Sequence, residues 1–280
     1  MPRRTKAEME GIRKAIVEAL RKDKPMTVRQ VFYRLVVEGV VPKVEGRGYR
    51  TVARELRKMR RSGRVPYAWI VDSSRTVRRP EQYGSMADAL HETARLYRRN
   101  LWGDLDDYVQ VWMEKEALAG VAWDVTEDMG VSLWVARGYS SISYLHHAAQ
   151  HINNALEAGK TAYIYNLGDH DPSGCDAWQS AVDELRGFAT DPGRVRFERV
   201  AVTPKQIRRM DLPSRPTKQT DSRSEGFEGE SVELDAIPPN ALRSIIRDTI
   251  ASHIPDHVRT MHEQVEARER ETLMQLQDYL

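Results

Sequence analysis

Apolar residues recur along this chain with two periods, and the change of period divides it. Up to Arg61 the period is helical. Ile12, Ile16, Val17 and Leu20 share one face behind Thr5-Lys6-Ala7-Glu8, where Thr and Glu have capping-box spacing. Pro25 ends the connection, and Thr27-Val28-Arg29-Gln30 opens a second helix with the same box. Its Val28, Val31, Phe32, Leu35 and Val36 form one core-facing stripe, closed off by Gly39 and Pro42. The turn Glu45-Gly46-Arg47-Gly48 leads to a third helix with Tyr49, Val52, Ala53, Leu56 and Met59 on its apolar face. Gly63 stops it, and residues 65–71 read as a strand.

Beyond residue 105, short apolar runs alternate with helical patterns. Strands are expected at 109–113, 131–135, 162–167 and 195–202, with helices at 115–122, 141–157 and 175–186 between them. This alternation predicts an α/β domain, a mainly parallel sheet covered by helices. Residues 85–97 read as a connecting helix, 204–210 as a short helix, and 238–253 and 258–279 as carboxy-terminal helices. The last carries Val258, Met261, Val265, Leu273, Leu276 and Leu280, an apolar set suited to a partner chain. Residues 213–235 are rich in Ser, Pro, Gly, Asp and Glu, lack periodicity and read as a long mobile loop. The expected organisation is a unit at 1–80, a linker at 81–104 and an α/β unit at 105–280.

Candidate chemistry concentrates where the 162–167 run stops, at Gly168-Asp169-His170-Asp171-Pro172-Ser173-Gly174. Asp169 and Asp171 are two apart, so in extended backbone they point the same way and repel unless a cation lies between them. Mg²⁺, or Mn²⁺ in its place, takes oxygen ligands of this kind. Ligands of open α/β sheets gather at the carboxyl ends of strands. The 109–113 strand ends there too, at Glu114-Lys115-Glu116, so Glu114, Asp169 and Asp171 are the expected metal ligands. Asp-x-Asp beside Gly and Pro also occurs in ordinary surface turns. His147 and His151, with His146 alongside, lack a third ligand in view and read as packed or surface histidines. Cys175 reads as a small helix-start residue.

Charge adds a second function class. Residues 1–80 hold 22 Lys and Arg against 8 Asp and Glu, whereas 81–280 hold 21 against 33. A basic module on an acidic remainder predicts a polyanion-binding unit. On the third helix Arg50, Arg54, Arg57 and Arg61 fall at i, i+4, i+7 and i+11, with Lys58 beside them and Glu55 as the acidic exception. A solvated face is the plainer alternative to a DNA-binding one. Three helices, then a strand, with arginines on the third, predict a winged helix-turn-helix. Arg29 and Tyr33 stand four apart, off the second helix's apolar stripe, so the phenol is expected at the surface with a cation one turn away. A semi-exposed aromatic on a DNA-binding helix is the alternative. No apolar run reaches membrane-span length, and a single cysteine excludes an internal disulfide. The expected setting is cytoplasmic and nucleoid-associated, with no membrane partner.

Glu114 after a strand, followed by Gly168-Asp169-His170-Asp171-Pro172-Ser173-Gly174, resembles the Toprim domain of topoisomerases, primases and related nucleases. The Asp-Pro-x-Gly ending resembles, more narrowly, the A subunit of topoisomerase VI and its meiotic double-strand-break relatives. Val131-Ser132-Leu133-Trp134-Val135-Ala136-Arg137-Gly138-Tyr139-Ser140 is similar to the strand and glycine turn those proteins carry. Arg29-Gln30-Val31-Phe32-Tyr33 resembles their Arg-x-x-Tyr-Tyr context, with Phe32 in place of the first tyrosine. The resemblance implies DNA cleavage through a phosphotyrosyl link at Tyr33, with Arg29 favouring the phenolate. It implies Mg²⁺ at Glu114, Asp169 and Asp171, with a proton-shuttling role as the other reading of Glu114. It also implies a homodimer spanning both strands of double-stranded DNA. No Walker motif is present, so an ATP-driven gate would need a separate ATPase B-type subunit. In that respect the chain resembles reduced, stand-alone A-subunit homologues of phages and mobile elements. A Toprim nuclease using metal-activated water and a non-catalytic DNA-binding regulator are the alternatives.

Overall fold

The structure is a computed structural model. It describes residues 5–42, 48–70, 80–136, 138–216, 227 and 230–276. Glu45, Gly46 and Arg47 of the expected turn, Val71, Arg137, much of 213–235 and Leu280 lie outside those residues.

Helices α1 (Lys6–Asp23), α2 (Val28–Val37) and α3 (Arg50–Arg61) form the amino-terminal unit. Both expected capping boxes are present: Thr5 pairs with Glu8 and Thr27 with Gln30. Ile16, Leu20, Val31, Leu35, Val52 and Leu56 make the shared core. The strand expected at 65–71 does not form over its described residues. Tyr67–Trp69 is a 3-10 turn, and Ile70 makes a single parallel bridge to Met26. A strand needs a ladder, and only one residue of the α1–α2 connection is offered to it.

Helix α4 (Met86–Leu96) connects to a four-stranded parallel sheet, β1 (Asp107–Met113), β2 (Ser132–Val135), β3 (Thr161–Leu167) and β4 (Val195–Ala201), in the order β2-β1-β3-β4. Helices α5 (Ala119–Thr126), α6 (Ile142–Glu157), α7 (Pro172–Phe188) and α8 (Pro204–Met210) alternate with the strands and follow them; α9 (Pro239–Ala251) and α10 (Asp256–Gln275) come last. The central strands β1 and β3 bury both faces, whereas the edge strands β2 and β4 are partly exposed. Trp112, Ala162 and Ile164 pack against α6 and α7, while Val111, Met113 and Leu167 pack on the side of α5 and α9. That two-sided burial explains why β1 and β3 read as continuous apolar runs. His147 and His151 pack edge-on against Trp134, with ring centroids at 5.5 and 5.7 Å. Among the described residues, no helix is long and apolar enough to cross a membrane.

The segment expected as a mobile loop is ordered where it is described. Arg215 and Ser231 form an antiparallel bridge, and so do His170 and Val232. Val232, Glu233, Leu234 and Asp235 are all buried. The 3-10 turn Leu234–Ala236 then packs against α2 and joins the two units. Asn240 donates to Asp23, and Arg243 to the Pro25 carbonyl, along the same seam.

Candidate functional site

The carboxyl edge of the sheet fixes Glu114. Its N–H donates to the Leu167 carbonyl at 3.2 Å, extending the β1–β3 ladder one step past Met113. On the other side of β3, Gly168 exchanges hydrogen bonds with Ala201 and Val202. Asp171 caps α7, its Oδ1 accepting from the Gly174 N–H at 2.8 Å and from Ser173 Oγ at 3.0 Å. Glu114 Oε2 lies 3.1 Å, and Asp171 Oδ1 3.3 Å, from the place a Cβ on Gly174 would occupy. Two carboxylates thus flank one point that only a glycine leaves open. Burial, then Asp169 and Asp171, push the Glu114 carboxyl above its ordinary range.

That Cβ would also meet the Asp169 carbonyl at 2.8 Å, a backbone contact that cannot give way cheaply. Gly174→Ala gains about 1 kcal/mol of helix propensity and loses about 1–3 kcal/mol to overlap. We expect a net lower melting point, measured by circular dichroism.

Asp169 is placed differently from the expectation. Its Oδ1 accepts from the Leu234 N–H at 2.8 Å, and its Oδ2 lies 3.1 Å from Lys115 Nζ. Lys115 also reaches Glu233 at 3.0 Å and Asp235 at 2.6 Å. Burial pulls the ammonium down, but Asp235, Asp169 and Glu233 together more than reverse this and hold it charged. The His170–Val232 bridge presents this acidic segment to Asp169, while Asp171 turns to cap α7. The two aspartates therefore serve different partners. Among the described residues, no three His, Cys, Asp or Glu side chains are grouped to hold a metal ion. Of the three expected ligands, Glu114 and Asp171 are the two that flank Gly174, with Arg215 Nη2 3.9 Å from Asp171 Oδ2.

Tyr33 is 5% exposed, against the expectation of an accessible phenol. The face of α2 that lies off its own core stripe is covered by the 234–236 turn. Arg29 Nε sits 3.3 Å from Glu233 Oε2. Burial, then the Glu233 charge, hold the phenol well above its ordinary range, and Arg29 and Lys115 only partly oppose them. The chain Arg29–Glu233–Lys115–Asp169 connects the tyrosine's helix to the sheet edge.

Arg50, Arg54, Arg57, Lys58 and Arg61 are exposed along α3. Arg54 and Lys58 lie 3.3 and 3.5 Å from buried Glu55, which also accepts from Arg13. No ion pair is formed by Arg50, Arg57 or Arg61 among the described residues. If this face holds DNA phosphates, Arg57→Ala weakens binding about equally across sequences. It also lowers the slope of log affinity against log salt by about one unit. Fluorescence anisotropy across a salt series measures both.

Compared with family models, characterised proteins and solved structures, the chain matches none.

Sequence reasoning missed Lys115, Glu233, Asp235 and Arg199. Arg199 donates to the Asp169 carbonyl at 2.8 Å and the Gly174 carbonyl at 3.2 Å, tying β4 to the start of α7. Val232-Glu233-Leu234-Asp235 carries a signal, since apolar and acidic residues alternate. Alternation marks an extended segment, here inside a stretch whose composition suggested a loop. Lys115 had no such signal; a single Lys between two glutamates suits any surface turn.

Proposed function

We propose that this chain cleaves double-stranded DNA by Mg²⁺-dependent transesterification at Tyr33, in the manner of the topoisomerase VI A subunit, acting as a homodimer. The observation that carries this reading is the pair Glu114 and Asp171 around Gly174, at the carboxyl edge of a four-stranded parallel sheet. The acid after β1 and the Asp-x-Asp after β3 favour a Toprim-like domain. The exposed arginines of α3 favour a winged-helix-related DNA module.

In this scheme Glu114 and Asp171 would hold the cation, and Asp169 anchors the Lys115 cluster. A bound Mg²⁺ would neutralise phosphate charge and make phosphorus more electrophilic. The Tyr33 oxygen forms a bond to phosphorus, and the bond from phosphorus to the departing sugar oxygen breaks. The phenol's proton leaves to a base, and the departing oxygen takes one up. The phosphotyrosyl link conserves the phosphodiester's free energy for religation. For phosphate to reach Tyr33, α2 must part from Glu233 and the 234–236 turn. Pairing with a second protomer's carboxylates supplies a reason for that separation.

The burial of Tyr33 favours a second reading, hydrolysis by metal-activated water with Tyr33 as a packing residue. Supercoiled plasmid incubated with Mg²⁺ and the full chain separates the two. Transesterification predicts breaks whose DNA follows protein into phenol until protease is added, and no breaks with Tyr33→Phe. Unchanged cutting by Tyr33→Phe overturns the tyrosine scheme in favour of water. Absence of cutting with both Mg²⁺ and Mn²⁺ overturns cleavage altogether and leaves a DNA-binding protein.

A further inference from the structure

Three cations converge on one carboxylate over the face of α2 that carries Tyr33. Glu233 Oε2 lies 3.3 Å from Arg29 Nε and 3.0 Å from Lys115 Nζ, and its Oε1 lies 3.1 Å from Arg215 Nη1. The cations come from three places: α2, the turn after β1, and the segment that pairs with Ser231. The Glu233 side chain is 7% exposed, whereas those of Arg29 and Arg215 are 40% and 43% exposed. A phosphodiester offers cations what this carboxylate does, one negative charge spread over two oxygens, and guanidinium groups bind both in the same way. Exchanging one for the other leaves the charge of the cluster unchanged, and Lys115 keeps Asp169 and Asp235 as partners. Ion pairs to arginines open to water are individually weak, so a polyanion can compete for them. The Glu233 charge also acts on the Tyr33 phenol, so the position it occupies lies near the proposed nucleophile.

We propose that Arg29, Lys115 and Arg215 form a docking site for one DNA phosphodiester, and that Glu233 fills it in the free chain as an intramolecular stand-in. The proposal rests on the DNA reading of the chain and adds to it a phosphate site and a release step. While Glu233 sits on Arg29, the 232–236 segment stays strapped over α2 and Tyr33 stays covered. A phosphodiester entering the cradle takes over Arg29 and Arg215, and the strap loses its tie to α2. DNA then favours the open state by binding it better than the closed one, and Glu233 lowers the affinity of the free chain by the same coupling.

The test measures binding of a short duplex to the full chain in EDTA, so that no cutting enters it. Glu233→Gln is expected to bind the duplex at least about fivefold more tightly than the native chain. Glu230→Gln, the same change of charge at an exposed position three residues away, is expected to leave affinity near the native value. Adding Arg215→Ala to Glu233→Gln is expected to abolish the gain. Hydrogen exchange of the native chain gives a second readout, because the Val232 and Leu234 N–H groups donate to the His170 carbonyl and to Asp169 Oδ1. Residues 232–236 are expected to exchange faster when duplex is added, and to be unaffected by inorganic phosphate at matched ionic strength. The proposal is overturned if Glu233→Gln binds no more tightly than the native chain, if Glu230→Gln gains as much, or if the gain survives Arg215→Ala. It is equally overturned if the duplex leaves exchange at 232–236 unchanged or slows it, a result that decides the matter alone should Glu233→Gln fail to fold. Equal loosening by inorganic phosphate overturns the assignment to DNA in favour of a small phosphate ester. A gain that depends on Arg215, in a chain that cuts nothing with Mg²⁺, refutes the cleavage reading and leaves this one standing.

Discussion

Replacing Glu114 with Gln moves stability and activity in opposite directions. Burial and two nearby aspartates raise the Glu114 carboxyl, so its ionised form is under strain in the folded chain. The sign follows from linkage. A carboxyl raised above its unfolded value costs stability as pH climbs from that value through the raised one. Glutamine removes that cost. Glu114→Gln therefore melts higher than the native chain at neutral pH, and the difference closes as pH falls toward about 4.5. Mg²⁺-dependent cleavage is expected to fall at least about 100-fold, because the donor at the centre of the proposed site becomes neutral. Calorimetry against pH and a plasmid-cutting time course measure the two halves. A lower melting point at neutral pH would identify Glu114 as a structural residue rather than a strained functional one.

Lys115→Met has the larger effect on folding. Lys115 lies within 3.1 Å of Asp169, Glu233 and Asp235, and each of those three is less than a tenth exposed. Removing the cation leaves three buried carboxylates facing one another. Breaking a buried charge cluster from one side costs about 3–5 kcal/mol, which lowers the melting point by about 10 °C for a chain of this size. The pH dependence reverses as well. In the native chain Glu233 is depressed by Lys115, Arg29 and Arg215 despite its burial, so its contribution is present above about pH 4.5 and lost below. Without Lys115, Glu233 loses the largest of the charges that depress it, and Asp169, already raised by burial, rises further. The deficit of Lys115→Met is then greatest at pH 7 and shrinks as acid protonates them. Chemical denaturation at pH 5 and pH 7 reads this directly. The variant also loosens the seam that covers Tyr33, since Glu233 loses a partner that helps hold it against Arg29.

Both variants turn on contacts that sequence pattern alone could show only in part. The central strands were legible because each is buried on both faces, which leaves long apolar runs at 109–113 and 162–167. The caps of α1 and α2 were legible because Thr and Glu or Gln three apart satisfy backbone donors in any context. The position of Glu114 and Asp171 at the carboxyl edge of the sheet was legible because each follows a strand. Tyr33 was misplaced because helical periodicity reports only a helix's own core. The far face of α2 is covered by Leu234–Ala236, some 200 residues away in the chain. The partners of Asp169 were hidden for a related reason: the Lys115 and Leu234 that engage it come from two other elements. The strand expected at 65–71 had the right composition and no edge to pair with. Local rules carried the elements; distant pairing decided which side chains stayed free.

The most direct measurement is the chemical identity of the atom joined to DNA. The full chain is incubated with plasmid and Mg²⁺ and stopped in denaturant, and the DNA is digested to nucleotides. Trypsin then cuts after Arg29 and Arg34, releasing Gln30-Val31-Phe32-Tyr33-Arg34, which contains a single tyrosine. The account predicts that mass spectrometry finds this peptide carrying a nucleotide on the Tyr33 oxygen, and finds none in Glu114→Gln. Broken DNA with unmodified peptide, or a nucleotide on any other residue, would contradict it.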